Sequence, residues 1–291
     1  MGDDLQDAPR HHGRRGRARH RAGRPGERGA ARSGLRRRRA ALSVARPVST
    51  PDTIQRARRH LLVAYGLVNV LVFALSRPAA VRRDLHGLIG VVFLVAALRG
   101  VSRDDDDTER YGIRLEGLIP GHQGDPRSLP RALIEAIPSA VRELGVAALV
   151  AAVVLPVYSL AWPLINQPIG PRHLPFSHDP VATLLGEVVA VALTEELFFR
   201  GYVQTRLADA LGLADFTRTR KPPFADAARV LVLTSALFAL THVIAEPGIG
   251  RAAVFFPSLL FGAVRIWRGG IGAAVALHAI FNVFERYLEG R

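Results

Sequence analysis

Three short motifs in the second half of the chain combine residues capable of acid–base chemistry with an apolar setting. They are Glu195-Glu196-x-x-x-Arg200, Phe238-x-x-x-His242 and His278-x-x-x-Asn282. Each falls inside or at the edge of an apolar stretch. Ionisable residues in such stretches are costly, and they usually face a bundle interior where they do chemistry or conduct ions. The combination predicts an active site within a membrane.

The first motif separates into two predicted roles. Glu196 and Arg200 are four residues apart in the favourable acid-before-base order, and a buried pair of this kind neutralises two charges. We interpret this pair as a salt bridge that supports the structure. Glu195 lies about 100° further round the helix and has no partner at that spacing. It is therefore the candidate general base for water.

The two later motifs each place a histidine one helical turn from another residue of interest. His242 shares a face with Phe238, and a hydrogen-bonded structural histidine is the alternative interpretation there. His278 shares a face with Asn282, and an imidazole and a carboxamide can both donate to a developing oxyanion. Contacts between helices are a further alternative, as is a zinc site made of Glu195, His242 and His278.

Other chemistries lack support in the sequence. The chain has no cysteine, which excludes disulfides, thiolate catalysis and Cys-ligated metal. It contains no HExxH, GxSxG or Walker motif. Two further acidic residues near the motifs, Glu187 and Glu246, are assigned no role.

The elements that position these residues are apolar segments close to the roughly 20 residues needed to cross a bilayer. The predicted spans are 60–76, 85–99, 144–165, 181–199, 229–246, 252–267 and 270–288. The fold class is thus all-α, a polytopic transmembrane bundle of about seven spans, with six to eight allowed because two segments are short. Residues 130–143 are predicted to form a separate amphipathic helix on the membrane surface. The helical rise places all three motifs in the inner half of the bilayer, where they can converge.

Charge is segregated along the chain. The 291 residues carry a net charge of +14 although 49% are hydrophobic. Fourteen arginines and four acidic residues lie in residues 1–48. A segment so polar and charged predicts a disordered tail. Upstream sequence translated in error, or a segment that binds anionic lipid or RNA, are the alternatives.

The order EExxxR, FxxxH, HxxxN resembles the CPBP family, also called Abi, of CAAX prenyl proteases and bacteriocin-processing proteins. The runs that carry the resemblance are 195–202, 238–242 and 269–282. Each motif alone is weak, but all three in this order within membrane helices are specific. The resemblance covers about residues 140–288.

The resemblance implies an intramembrane endopeptidase. Glu195 and His242 would activate water, and His278 with Asn282 would stabilise the oxyanion. Glu196, Arg200 and Phe238 would support the site. Zinc and a metal-free glutamate mechanism both remain open.

The implied substrate is a membrane-embedded or lipid-anchored protein or peptide in the lipid bilayer, and no nucleic acid is expected as a partner. One lysine beside 38 arginines favours a GC-rich bacterial source, and hence the inner membrane. The predicted organisation is a tail (1–48), first spans with an acidic cytoplasmic loop (49–130) and a catalytic bundle (131–291). The alternative function is a non-enzymatic membrane protein, either an immunity or scaffold factor or a proton-coupled transporter.

Overall fold

The computed structural model describes most of the chain after the predicted tail. The described residues are 50–78, 87–102, 108–113, 129–164, 180–213, 216 and 222–289. The tail at 1–48 and most of the predicted acidic loop lie outside them. The described residues form helices and no strand, which confirms the predicted all-α class.

Seven helical stretches of more than ten residues occur in the described ranges. They are α1 (Pro51–Ser76), α2 (Gly87–Ser102), α3 (Leu129–Ala161), α4 (180–210), α5 (Phe224–Ala245), α6 (Phe255–Arg268) and α7 (Gly272–Glu289). Short 3₁₀ helices lie at Thr108–Tyr111 and Trp162–Leu164, and one helical turn lies at Ile249–Ala252. Each predicted span overlaps one of the seven stretches.

Local sequence explains where several helices begin and end. The Thr50 hydroxyl accepts a hydrogen bond from the Thr53 amide at the start of α1, and Pro51 occupies the first turn. Gly269 ends α6 in the left-handed conformation with φ 72°, which favours glycine. The same glycine starts the tight turn that leads into α7.

Four described helices are long and apolar enough to cross a membrane by length and composition. They are Pro51–Ser76, Ala136–Leu164, Phe224–Ala245 and Ile249–Arg268, and Gly87–Val101 is apolar but shorter. Large apolar side chains such as Val63, Val153 and Leu160 are exposed on these helices, as lipid-facing residues are. The protein is an integral membrane protein, and the total of seven spans remains a prediction.

Residues 130–143 do not form a helix of their own. They belong to α3, one continuous helix of 33 residues. Extending a formed helix costs far less than nucleating a second one, and the helix continues through both Pro138 and Gly145. The predicted boundary between a surface helix and the third span was therefore wrong.

Two large apolar cores and one smaller cluster are buried among the described residues. The first is built mainly from α1, α2 and α4 around the aromatic residues Phe93, Phe198, Phe199 and Tyr202, and residues of α5 and α7 complete it. The other large core joins α3, α6 and α7 around Ala147, Ala151, Phe261, Leu277 and Phe281.

Glycines allow α2 to approach α4 closely. A Cβ added at Gly90 would lie 2.3 Å from the backbone oxygen of Ala190, and one at Gly100 would lie 2.3 Å from the Tyr202 ring. Small residues are the usual means of close helix approach in membranes. The position of α4 against α2 thus depends on these two glycines.

One buried arginine joins three chain segments at the end of α6. Arg265 donates to the carbonyl oxygens of Arg200 (3.1 Å) and Arg110 (2.7 Å) and to the Thr205 hydroxyl (3.2 Å). Burial of an arginine is tolerated when its donors are satisfied in this way. Arg265 therefore fixes α6 against α4 and the Thr108–Tyr111 turn.

Candidate active site

The two adjacent glutamates lie in α4 between two widened turns. The α-helical turn Leu193–Glu196 is flanked by π-helical segments at Gly186–Ala192 and Leu197–Val203. π-helical turns are rare, and they often occur at functional sites. The rest of α4 is α-helical, at Pro180–Leu185 and Gln204–Ala210.

Glu196 and Arg200 form a fully buried ion pair. Glu196 Oε1 lies 2.8 Å from Arg200 Nη1, and both side chains are 0% exposed. Arg200 also donates to the Ser258 hydroxyl at 2.9 Å, and its guanidinium lies over the Phe238 and Phe261 rings. The pairing expected from their spacing is present, and it links α4 to α5 and α6.

His278 is held by the same glutamate. Its Nδ1 donates to Glu196 Oε1 at 2.8 Å, and its ring stacks on Phe261 at 4.9 Å between centroids. An ionised carboxylate only accepts hydrogen bonds, so Nδ1 carries the proton. His278 Nε2 is then directed toward Glu195, 3.9 Å from its Oε2.

His242 approaches Glu195 from a different helix. Its Nδ1 donates to the carbonyl oxygen of Phe238 at 3.0 Å, and its ring lies 4.3 Å from the Phe238 ring. Because a carbonyl oxygen cannot donate, Nδ1 carries the proton and a neutral ring has its lone pair on Nε2. That Nε2 lies 3.8 Å from Glu195 Oε2.

Glu195 is the point on which both histidines converge. Its Oε2 is buried and has no hydrogen-bond partner among the described residues. The separations of 3.8 Å and 3.9 Å are too long for direct hydrogen bonds. A gap of this kind between polar groups suits a water molecule or a polar atom of a substrate.

Asn282 lies one turn from His278 but contacts a different carboxylate. Its Nδ2 donates to Glu187 Oε2 at 3.1 Å, and Glu187 Oε1 forms an ion pair with Arg286. Glu187 was given no role from the sequence. The signal that could have found it is its spacing of eight residues from Glu195, which places both on the face of α4 that meets α7.

Glu246, also left without a role, lies away from this arrangement. It forms an ion pair with Arg251 at 2.6 Å, and its side chain is 67% exposed. The structure therefore brings Glu195, His242 and His278 to one point and places Glu196, Arg200 and Phe238 behind them.

The distances among Glu195, His242 and His278 bear on the zinc alternative. Among the described residues no group of three His, Cys, Asp or Glu side chains is arranged to hold a metal ion. Zinc bonds of about 2.0–2.2 Å place neighbouring ligand atoms of a tetrahedral site about 3.4 Å apart. Glu195 Oε2 is further than that from both Nε2 atoms, so the side chains as placed do not fit a zinc centre.

Part of the chain is similar to a known protein family. Residues 177–284 match the family described as type II CAAX prenyl endopeptidase Rce1-like. The match includes all three motifs and confirms the resemblance predicted from them. Neither the curated proteins nor the solved structures give a significant match. The matched family is a protease family, which supports a peptidase.

Proposed function

We propose that the protein is an intramembrane endopeptidase that hydrolyses a peptide bond of a membrane-embedded or lipid-anchored protein or peptide. Its catalytic bundle is residues 131–291, within a protein of about seven spans in a bacterial inner membrane. One observation carries the proposal. A buried Glu195 oxygen without a described hydrogen-bond partner faces the Nε2 atoms of two histidines whose Nδ1 atoms are already bonded.

The first step is activation of water. A water molecule in the gap donates one hydrogen bond to Glu195 Oε2 and a second hydrogen bond to His242 Nε2. Glu195 takes the proton as the water oxygen attacks the scissile carbonyl carbon, and a tetrahedral intermediate forms. The carbonyl oxygen becomes an oxyanion.

His278 and Asn282 stabilise that oxyanion. With Nδ1–H bonded to Glu196, His278 can donate from Nε2 only as an imidazolium, and Glu196 is the counter-ion of that state. The Asn282 amide supplies a second donor. Donors fixed in advance around a developing charge are a large contribution to catalysis.

The intermediate collapses with proton return. The carbonyl re-forms, the C–N bond breaks, and protonated Glu195 delivers its proton to the leaving amine nitrogen. Glu195 is thereby restored to the carboxylate, and no metal is needed. The separations between Glu195 and the two histidines support this glutamate mechanism over zinc.

The proposal is tested with purified protein in liposomes and a library of membrane-anchored peptides. Glu195→Gln preserves the shape of the side chain but cannot accept a proton, so cleavage should fall by at least about 10²-fold. Glu246→Gln, which alters an exposed ion pair, is the matched control and should cut like wild type. Cleavage should persist with a zinc chelator.

Three other outcomes would each contradict one part of the proposal. Wild-type cleavage by Glu195→Gln would contradict the assignment of the base. Loss of activity with chelator, restored by zinc, would contradict the metal-free mechanism. If wild type cuts no peptide in the library, the alternative of an immunity or scaffold factor or a proton-coupled transporter gains support.

A further inference from the structure

A second polar group lies one turn beyond His278, where α7 faces α4. His278, Asn282 and Arg286 follow one another at intervals of four residues, so they form one stripe along α7. Facing them, Glu187 uses both carboxylate oxygens: Oε2 accepts from Asn282 at 3.1 Å, and Oε1 pairs with Arg286. The two helices are thus joined at Glu196 by His278 and at Glu187 by Asn282.

Stability alone does not account for a carboxylate at position 187. Its side chain is 5% exposed, whereas that of Arg286 is 48% exposed. Burying a carboxylate is costly, and an apolar residue of similar size would often serve stability as well as a buried ion pair. The contact to Asn282 is what an apolar residue could not supply.

That contact fixes which way the amide points. An ionised carboxylate accepts hydrogen bonds and donates none, so the Asn282 nitrogen, not its oxygen, faces Glu187. One amide hydrogen is used by Glu187, and the second hydrogen of the same nitrogen is the donor for an oxyanion. Without Glu187 the amide could rotate by half a turn and present its oxygen, which would repel negative charge.

We propose that Glu187 is a positioning residue of the catalytic centre, which holds the Asn282 amide with its nitrogen toward the oxyanion and is itself held by Arg286. The proposal rests on the endopeptidase function proposed above. Glu187 does not touch the substrate, and it acts only through Asn282.

The test is a double-mutant cycle on the full chain in liposomes, with a peptide that the wild type cuts. Glu187→Ala and Asn282→Ala should each lower kcat by about 10²-fold, as loss of one oxyanion donor does. KM should stay within about threefold, because the contact is made in the transition state. The double variant should be no slower than Asn282→Ala alone, because both changes remove one function.

A conservative variant separates positioning from a merely structural role. Glu187→Gln keeps an acceptor oxygen for the Asn282 amide, but its own NH2 can also hold the flipped amide, so kcat should lie between the values of Glu187→Ala and wild type. Glu246→Ala, from the exposed pair with Arg251, is the control and should leave kcat unchanged. Wild-type kcat in Glu187→Ala would overturn the proposal, as would multiplied losses in the double variant or a Gln variant no better than Ala.

Glu195→Gln distinguishes this failure from failure of the function itself. If Glu195→Gln is inactive while Glu187→Ala cuts normally, only the role of Glu187 is wrong. If Glu195→Gln and wild type cut equally, the assignment of Glu195 as the base is wrong, and kcat of Glu187→Ala still tests the role of Glu187 by itself.

Discussion

At the scale of single residues, Glu196 joins two helices through one oxygen atom. Its Oε1 lies 2.8 Å from both Arg200 Nη1 and His278 Nδ1. The ion pair with Arg200 could be predicted because the two residues are four apart on one helix. The contact with His278 could not, since the partners are 82 residues apart in sequence and only tertiary packing brings them together.

Replacing Glu196 with glutamine should therefore damage both stability and activity. Glu196→Gln leaves the Arg200 guanidinium buried without its counter-ion, which should lower the free energy of unfolding by about 3–5 kcal/mol. It also removes the counter-ion of the His278 imidazolium, so the rate of peptide cleavage should fall as well. Unfolding in detergent and peptide cleavage measure the two effects. Glu246→Gln is the matched control, and equal stability of the two variants would contradict the expected role of the pair.

At the scale of elements, α4 shows what an apolar pattern can and cannot predict. A helix at 181–199 was predictable from its composition, and the structure extends that helix to residue 210. The π-helical segments on either side of Glu195 and Glu196 were not predicted. Hydropathy does not distinguish four from five residues between hydrogen-bonded groups, because this distinction depends on how neighbouring helices pack. For the same reason, the apolar pattern did not predict that α3 is one continuous helix.

The close contact of α2 with α4 leads to a stability prediction. Gly90→Ala places a methyl group against a backbone oxygen that cannot move independently, so α2 must shift. We expect a loss of about 1–3 kcal/mol. Gly66→Ala on α1 is the control, because nothing lies within 4 Å of its added Cβ, and alanine is the better helix former by about 1 kcal/mol. Thermal unfolding of the two variants compares them, and a Gly90→Ala protein as stable as Gly66→Ala would contradict the expected clash.

At the scale of the whole molecule, the motifs of the candidate site and most of the excess basic charge lie in different parts of the chain. The motifs lie in residues 195–282, whereas fourteen arginines lie in residues 1–48. Ser49–Arg291 is a compact unit by itself. The sequence predicted that Glu195, His242 and His278 converge, because their depths along the helices are similar. It could not predict that Asn282 contacts Glu187, because depth does not specify rotation of a helix about its axis.

Removal of the arginine-rich segment should therefore leave catalysis intact. A chain of residues 49–291 should keep kcat/KM within about threefold of the full chain, because a segment of this composition builds no core. Cleavage of one peptide by both chains in neutral liposomes measures this. Loss of cleavage in the shorter chain would instead assign the segment a part in function, and repetition in anionic liposomes would show whether lipid charge is involved.

The assembly of the site from α4, α5 and α7 has a consequence for synthesis of the protein. A chain that enters the membrane from its N-terminus delivers Glu195, Glu196 and Arg200 to the bilayer before His242, and long before His278. The carboxylates then have no complete set of partners until the last helix docks. On the endopeptidase proposal the site is complete only once α7 has docked, so cleavage cannot begin while α7 is still being inserted.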